Sequence, residues 1–531
     1  MKAYINAKIY TLDANNTIVG YLIEEGGKIV ETGESFEGSE YASIINKENI
    51  IDLENAVVTP GFWESHLHIV DGLRSLEELN LRGLSSLKEL KKAIVGYASR
   101  IKSNDWIIGH GWDEKKLFEG RFPHRQLLDE LYKECPVILI RMDGHSLCLN
   151  SKGIELMNID RMTPSSEIPF DEEGKATGML FENAANDVVR NIVESFSEEY
   201  IENLVLKAQD LFLQNGISSV NDICTFYGRY FDIYRKLQKS GKLKMRITTA
   251  PYGLDEKSLE EFDLRKGDET DILKIAAPKY FIDGSFGSRT ALLMEEYADA
   301  VGNFGLQLIE KEQLKNIIMQ NETINQPITI HAIGDKAVKI ILDSIEETRV
   351  NNQRDIRNRI EHIQIIREED IQRFKELDVT ASFQPVFLYE EELTLSRLGR
   401  ERFSMIYRFK SFIEKGVNVI FNSDFPYGGG DMPSKKDNSK YSGFEPILGI
   451  HAACYRQLNA TESVEPLQAL RCYTVNAAFA NYREKELGKL AKGYFADFVV
   501  LSKDILKCSP EELLKTEVLK TVVNGEIVYN K

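Results

Sequence analysis

Residues 56–68 read AVVTPGFWESHLH, an apolar run that ends in two histidines separated by a single residue. In a β-strand, side chains two apart point to the same face, so His66 and His68 can converge on one ion from the strand's C-terminal end. Taken alone, an H-x-H pair describes a solvent-facing loop equally well, and the rest of the chain has to decide. Downstream lie seven further apolar runs: GISSVND (216–222), KMRITTAPY (244–252), LKIAAPKYFID (273–283), PITIHA (327–332), RIEHIQ (359–364), DVTASFQP (378–385) and VNVIFNSD (417–424). Helical periodicity fills most gaps between them, as in KEQLKNIIMQNETIN, DKAVKIILDSIEETR and EEDIQRFKEL. With 56–68 the runs make eight strands in βα order. That is the count of a closed (β/α)8 TIM barrel, and continuous apolar runs suit parallel strands covered on both faces. An open doubly wound sheet is the structural alternative, but the Gly-rich first βα turn that announces it is absent.

Outward from this core, both chain ends have a different texture. MKAYINAKIYTLD, TIVGYLIEEGGKIVETG and IIDLENAVVTPG at the start, and GYFADFVVLSKD and VLKTVVNGEIVYN at the end, alternate β-branched and aromatic residues, with Gly26-Gly27 and Asn524-Gly525 as hairpin turns. Neither end has enough strands to bury a face by itself, so residues 1–57 and 485–531 are expected to form one composite β-sandwich. The barrel then takes 58–71 and 200–484. Residues 72–199 break the βα rhythm and read as an inserted α+β subdomain near the barrel mouth.

Composition narrows the classes. A chain of 531 residues, 43% of them hydrophobic, exceeds one compact core and excludes intrinsic disorder. No apolar run reaches the roughly 18 residues of a membrane helix, and the first residues lack the apolar stretch of a signal peptide, so a cytoplasmic protein is expected. The 66 Lys+Arg against 83 Asp+Glu leave a net charge of -17, which disfavours nucleic acid and anionic membranes as partners and leaves a small-molecule substrate. Six cysteines without any C-x-x-C pair read as reduced and buried, which argues against a thiolate metal site. A homodimer is the expected assembly by frequency alone.

Three more proposed strands end in polar, ligand-capable residues: His331 in PITIHA, His362 in RIEHIQ and Asp424 in NVIFNSD. Any one of them could be a hydrogen-bonded core residue. Together with His66 and His68 they stand at one level of the barrel, where burial without a partner would be costly. A histidine-rich set with carboxylate support suits zinc first, with iron, manganese or nickel as alternatives.

The chain resembles the amidohydrolase superfamily of metal-dependent hydrolases, on the strength of TPGFWESHLH, the strand-five and strand-six histidines, Asp424 and the closing LGKLAKGYFADFVVL. GHGWDE, RMDGHSLCLNS, KYFIDGSFGSRTALL, TIHAIGDKAV, RIEHIQ and SFQPVF extend the likeness to its YtcJ-like (amidohydrolase 3) branch over nearly the whole chain from about residue 50. The resemblance implies one or two divalent metal ions. His66 and His68 would bind the more buried ion, and His331 and His362 a second. Asp424 would touch the first ion and act as the catalytic proton acceptor and donor. Lys279 matches a position suited to carboxylation and metal bridging, and an unmodified lysine there would leave a mononuclear site. His145 in RMDGHS and Arg289 in GSRTA match substrate-binding positions, with His110 and Trp112 as weaker candidates. Asp283 reads as a turn or supporting residue, Gly284 and Gly287 as loop bends, and His124 and His451 as structural. GGGDMPSKKDNSKYSG after strand eight reads as a βα loop.

The expected activity is metal-dependent hydrolysis of a C–N bond in an amide or N-acyl-like substrate. A deaminase or cyclic-amide hydrolase on the same scaffold is the alternative, because fold and metal do not select the leaving group. A silent scaffold is disfavoured, since it has no chemical need for Asp424 or both histidine pairs.

Overall fold

The computed structural model describes the chain except residues 101–105, 113–122, 143, 225–226, 253–268, 350–354, 428–431 and 434–441. Asp113 and Glu114 of GHGWDE, and most of the glycine-rich stretch after strand eight, therefore lie outside the described residues.

The two chain ends meet in one eight-stranded sheet. Its strands run Glu526–Asn530, Val518–Val523, Phe498–Leu501, Ile50–Pro60, Lys2–Tyr10, Tyr21–Glu25 and Lys28–Gly33, with Ile18–Val19 paired to Lys2–Tyr10. The sequence anticipated one composite β-sandwich from these segments; their strands pair along one continuous path, in which Phe498–Leu501 adds directly onto Ile50–Pro60. Positive φ at Gly26 and Gly27, and at Asn524 and Gly525, makes the tight turns that two-residue hairpins need.

Ile50–Pro60 leads through Gly61 straight into strand Phe62–Leu67, whose six residues are all buried. From it, two parallel sheets are built. One has the order Leu273–Ile275, Arg246–Pro251, Ile217–Cys224, Phe62–Leu67, and the other Lys279–Phe281, Thr329–Ala332, Arg359–His362, Thr380–Phe383, Val419–Phe421. They are not closed into a single ladder; single parallel bridges at Leu67–Phe425 and Tyr252–Lys279 join them. The run 273–283, expected as one strand, is split between the sheets. Pro278 interrupts it, since its nitrogen has no hydrogen to donate, and Lys279 starts a new ladder against Thr329.

Helices cover these strands by the usual apolar stripe. In Glu198–Gln214 the buried residues Ile201, Leu204, Val205, Ala208 and Phe212 recur at three- and four-residue spacing, and Ser197 caps the helix by accepting from Tyr200 N. The inserted region has its own five-stranded sheet, in the order Met179–Phe181, Ser146–Leu149, Val137–Arg141, Ile107–Trp112, Leu79–Asn80, packed on separate apolar clusters. Among the described residues no helix is long and apolar enough to cross a membrane. Of the cysteines, Cys135, Cys148, Cys454 and Cys472 are buried thiols and Cys508 is half-buried.

Candidate active site

His66 and His68 end the first parallel strand on the same face, as the alternation predicted, and both rings turn toward Asp424. His66 Nε2 and His68 Nε2 lie 3.3 and 3.2 Å from Asp424 Oδ1. His362 Nδ1 lies 3.9 Å from Asp424 Oδ2, and potential ligand atoms of His66, His362 and Asp424 all lie within 4.8 Å of one another. The His331 ring lies tilted by 57° against that of His362, with centroids 4.4 Å apart.

Each of these histidines is anchored through one nitrogen, and the anchor decides what the other can do. His66 Nδ1 is 2.6 Å from Glu361 Oε2, and His68 Nδ1 is 2.7 Å from the Ile223 carbonyl. His362 Nδ1 is 2.9 Å from Gln384 Oε1, whose orientation is set because Gln384 Nε2 donates to Asn422 Oδ1 at 2.6 Å. His331 Nε2 is 3.1 Å from the Gly284 carbonyl. All four partners are acceptors, so the anchored nitrogens carry the hydrogen. In the neutral rings the lone pairs then sit on Nε2 of His66, His68 and His362 and on Nδ1 of His331. Outer partners of this kind hold metal-binding histidines in one tautomer. The donor set fits a divalent cation, and no thiolate takes part.

Electrostatics agrees. Burial pushes His362 down to about 3, and burial together with its histidine neighbour His362 holds His331 well below the usual imidazole range, so both are neutral near pH 7. Burial likewise lowers His66 against the pull of Glu361 and Asp424. At His68 burial opposes the charged ring, but the hydrogen bond and charge of Asp424 outweigh it and raise its pKa. Asp424 is buried, yet its interactions with His66, His68 and His362, the His68 hydrogen bond among them, keep its carboxyl below the usual range.

Lys279 is 1% exposed, with Nζ 4.1 Å from the centre of the Phe281 ring, and burial takes its pKa down to about 8. It lines a compartment of about 300 Å3 together with His66, His68, His331, His362 and Asp424. A second compartment, of about 890 Å3, shares His145, His331, His362, Asp424 and Tyr427 with the first, so the histidine cluster stands where the two meet.

The remaining candidates separate. His145 lines both compartments, its ring 5.8 Å from that of His331. Arg289, expected from GSRTA to bind substrate, is not among the residues lining either compartment, and its guanidinium pairs with Asp299 at 3.0–3.1 Å. His110 is paired with Glu78 at 2.5 Å, and Trp112 is buried with Nε1 donating to Leu139 O. Asp283 accepts from Leu292, Ile333 and Gly334 nitrogens and stands 3.5 Å from His331 Nε2, and burial raises it to about 7. His124 caps helix Arg125–Leu131. His451, read as structural, lines the larger compartment and meets Tyr389 Oη at 3.1 Å.

Several site residues escaped the sequence reading. Glu361 sits inside RIEHIQ directly before His362, and in a regular strand such neighbours point to opposite faces. His362 has φ 76°, which breaks the alternation and lets both residues reach the cluster. Asp424 (φ 56°) is also in the left-handed region, so two site side chains are aimed by backbone strain that no periodicity encodes. Glu64 lies below His66; burial pushes its carboxyl well above the usual range, and its Oε2 has no hydrogen-bond partner.

The amidohydrolase family model matches residues 49–529. YtcJ of Bacillus subtilis (strain 168) is 30% identical, covering 98% of each chain, and the N-substituted formamide deformylase of Arthrobacter pascens is 26% identical over 99% of this chain and 98% of its own. A crystal structure of a metal-dependent hydrolase from Pyrococcus furiosus superimposes with a TM-score of 0.74 at 31% identity, covering 95% of this chain and 100% of that one. With most of its length matched by the family model, this chain belongs to the amidohydrolase family.

Proposed function

We propose that the protein is a metal-dependent hydrolase that cleaves the C–N bond of an amide or N-acyl-like small molecule. The observation that carries this reading is the set of four buried histidines, each anchored through one nitrogen and each keeping the other for a cation, around Asp424. The relative from Arthrobacter pascens, a formamide deformylase by name, supports an amide in particular. His66, His68 and Asp424 would hold the first ion and His331 and His362 a second, with zinc the metal that this donor set favours. When bound, the ion polarises the scissile carbonyl and acidifies water from about 15.7 toward about 7.

The chain's own groups do the rest. Asp424, ionised at neutral pH, takes a proton from the attacking water through one carboxylate oxygen and returns it to the departing nitrogen. Lys279 is suited to carboxylation: its buried Nζ, more readily neutral than an ordinary lysine, would add CO2 and release one proton, and the resulting carbamate would supply an anionic ligand for the metal. The two compartments receive the groups on either side of the scissile bond.

The same reading extends to the architecture. The eight strands Phe62–Leu67, Ile217–Cys224, Arg246–Pro251, Lys279–Phe281, Thr329–Ala332, Arg359–His362, Thr380–Phe383 and Val419–Phe421 are taken as a (β/α)8 barrel, supported by the bridges at Leu67–Phe425 and Tyr252–Lys279. Its composite terminal unit (1–57 and 485–531) and its insertion (72–199) are the flanking parts.

The test is metal analysis of purified protein, followed by a hydrolysis panel of simple amides, N-formyl compounds, N-acyl amino acids and cyclic ureas with the zinc-loaded form. About one or two ions per chain and turnover of an open-chain amide are expected. Less than a tenth of an equivalent of metal, with no turnover after reconstitution, would sink the enzyme reading.

A further inference from the structure

The inserted region brings to the cluster a hydrogen-bonded histidine–carboxylate pair for which the reaction as described has no task. His145 lies in the turn between strands Val137–Arg141 and Ser146–Leu149, and Glu182 at the junction of strand Met179–Phe181 with helix Glu182–Glu194. The two are tied twice: Glu182 N donates to His145 O at 2.9 Å, and His145 Nδ1 lies 2.8 Å from Glu182 Oε2. His145 lines both compartments, and Glu182 lines the smaller one.

Three features set Glu182 apart from an ordinary ion-pair partner. It is 5% exposed, and its Oε1 is buried with no hydrogen-bond partner, which is costly for a carboxylate. Its φ of 45° is left-handed, a conformation that a residue with a side chain rarely adopts and that persists where the surroundings enforce it. Finally, the helix it begins does not need its carboxylate as a cap, because Glu167 serves there: Oε2 accepts from Ala184 N at 3.0 Å and Oε1 from Asn183 Nδ2 at 3.3 Å. This strained, half-satisfied, buried carboxylate has, among the described residues, His145 as its one side-chain hydrogen-bond partner.

We infer that Glu182 is a positioning residue of the active site, holding His145 as the Nδ1–H tautomer and presenting its Nε2 to the amide group of the bound substrate. An ionised carboxylate only accepts, so Nδ1 donates; the neutral ring then carries its lone pair on Nε2 and accepts the N–H of a secondary amide. The insertion in this way completes the site from outside the parallel sheets. The inference rests on the amide-hydrolase reading above for its substrate, but the tautomer it requires is a property of the chain alone.

Two measurements test it on the full-length, zinc-loaded protein. The first is histidine-selective 15N NMR, with His145 assigned by its loss in His145→Gln; eight histidines keep that assignment tractable. Wild type should show His145 protonated at Nδ1 and not at Nε2, Glu182→Met should lose that preference, and Glu182→Gln, whose amide oxygen still accepts, should keep it. A ring unprotonated at Nδ1 in wild type, or a tautomer unmoved in a folded Glu182→Met, overturns the proposal. The second is kinetics on the secondary amide with the highest turnover in the panel. Glu182→Met is expected to lower kcat at least about 10-fold with KM changed by less than about 3-fold, zinc content unchanged and partial recovery in Glu182→Gln. The Glu182→Met/His145→Gln double variant should be no slower than His145→Gln alone, and additive losses count against the pair. Should no amide be turned over, amide hydrolysis fails as a reading while the NMR result still decides the role of Glu182.

Discussion

His66 Nδ1 and Glu361 Oε2 are 2.6 Å apart, both fully buried, and this contact fixes which nitrogen of His66 faces Asp424. Glu361 is itself held, accepting from Ser382 Oγ at 2.5 Å and from Arg359 Nε at 2.6 Å. The charges of Arg359 and His66 overcome burial and keep its carboxyl well below the usual range.

The first prediction follows from that contact. Glu361→Gln leaves every expected ligand in place but weakens the hold on the His66 tautomer, and loss of such an outer partner costs about 10–100-fold in metal affinity. Competition with a zinc-binding dye measures it; unchanged affinity would show that Glu361 serves only Arg359.

Asp424→Asn removes the proton carrier with little change in shape. It should retain at least one ion per chain and lose about 100-fold or more in kcat, the scale of a general acid–base group. Undiminished hydrolysis by this variant would remove Asp424 from proton transfer.

Lys279→Ala tests the carbamate. Metal content should fall from two ions per chain toward one, and short carboxylic acids should restore part of it by supplying the missing anion. A variant that still carries two ions, read by elemental analysis, rules the carbamate out.

A fourth prediction concerns pH and stability. Asp222 is buried below His68, accepting from Ile69 N at 2.8 Å and Tyr234 Oη at 2.6 Å, and burial raises its pKa from 3.8 to about 6. A raised carboxyl is more stable in the fold when protonated, so its contribution is present below about pH 4 and is lost as pH rises through about 6. The shift corresponds to roughly 3 kcal/mol. Asp222→Asn should therefore gain in Tm relative to wild type as pH goes from 4 to 7, in metal-free protein followed by thermal unfolding. A Tm difference that stays flat over that range would contradict it.

How much of this was readable from the chain can be judged at particular residues. His66 and His68 were, because both belong to one extended strand where period two holds. His331, His362 and Asp424 were too, since a polar residue closing an apolar run is visible without knowing where the run goes. Glu361 was not, because it stands next to His362 and only the 76° φ of that histidine lets neighbours share a site. Gln384 and Asn422 looked like strand-end polar residues with nothing to set them apart; their role lies in the bond between them. Arg289 is a motif residue whose pairing with Asp299 likewise appears only in the fold.

Alternation and strand endings are local quantities, set by chain chirality and by the cost of burying polar groups, so they survive in the primary structure: the βα rhythm, the joining of both termini and the ion-binding side chains come from there. Tautomers, orphaned oxygens and the meeting of Glu182 with His145 depend on groups brought together from distant segments. Only packing, which sets distances between residues tens to hundreds of positions apart, determines which nitrogen of each histidine remains free to bind.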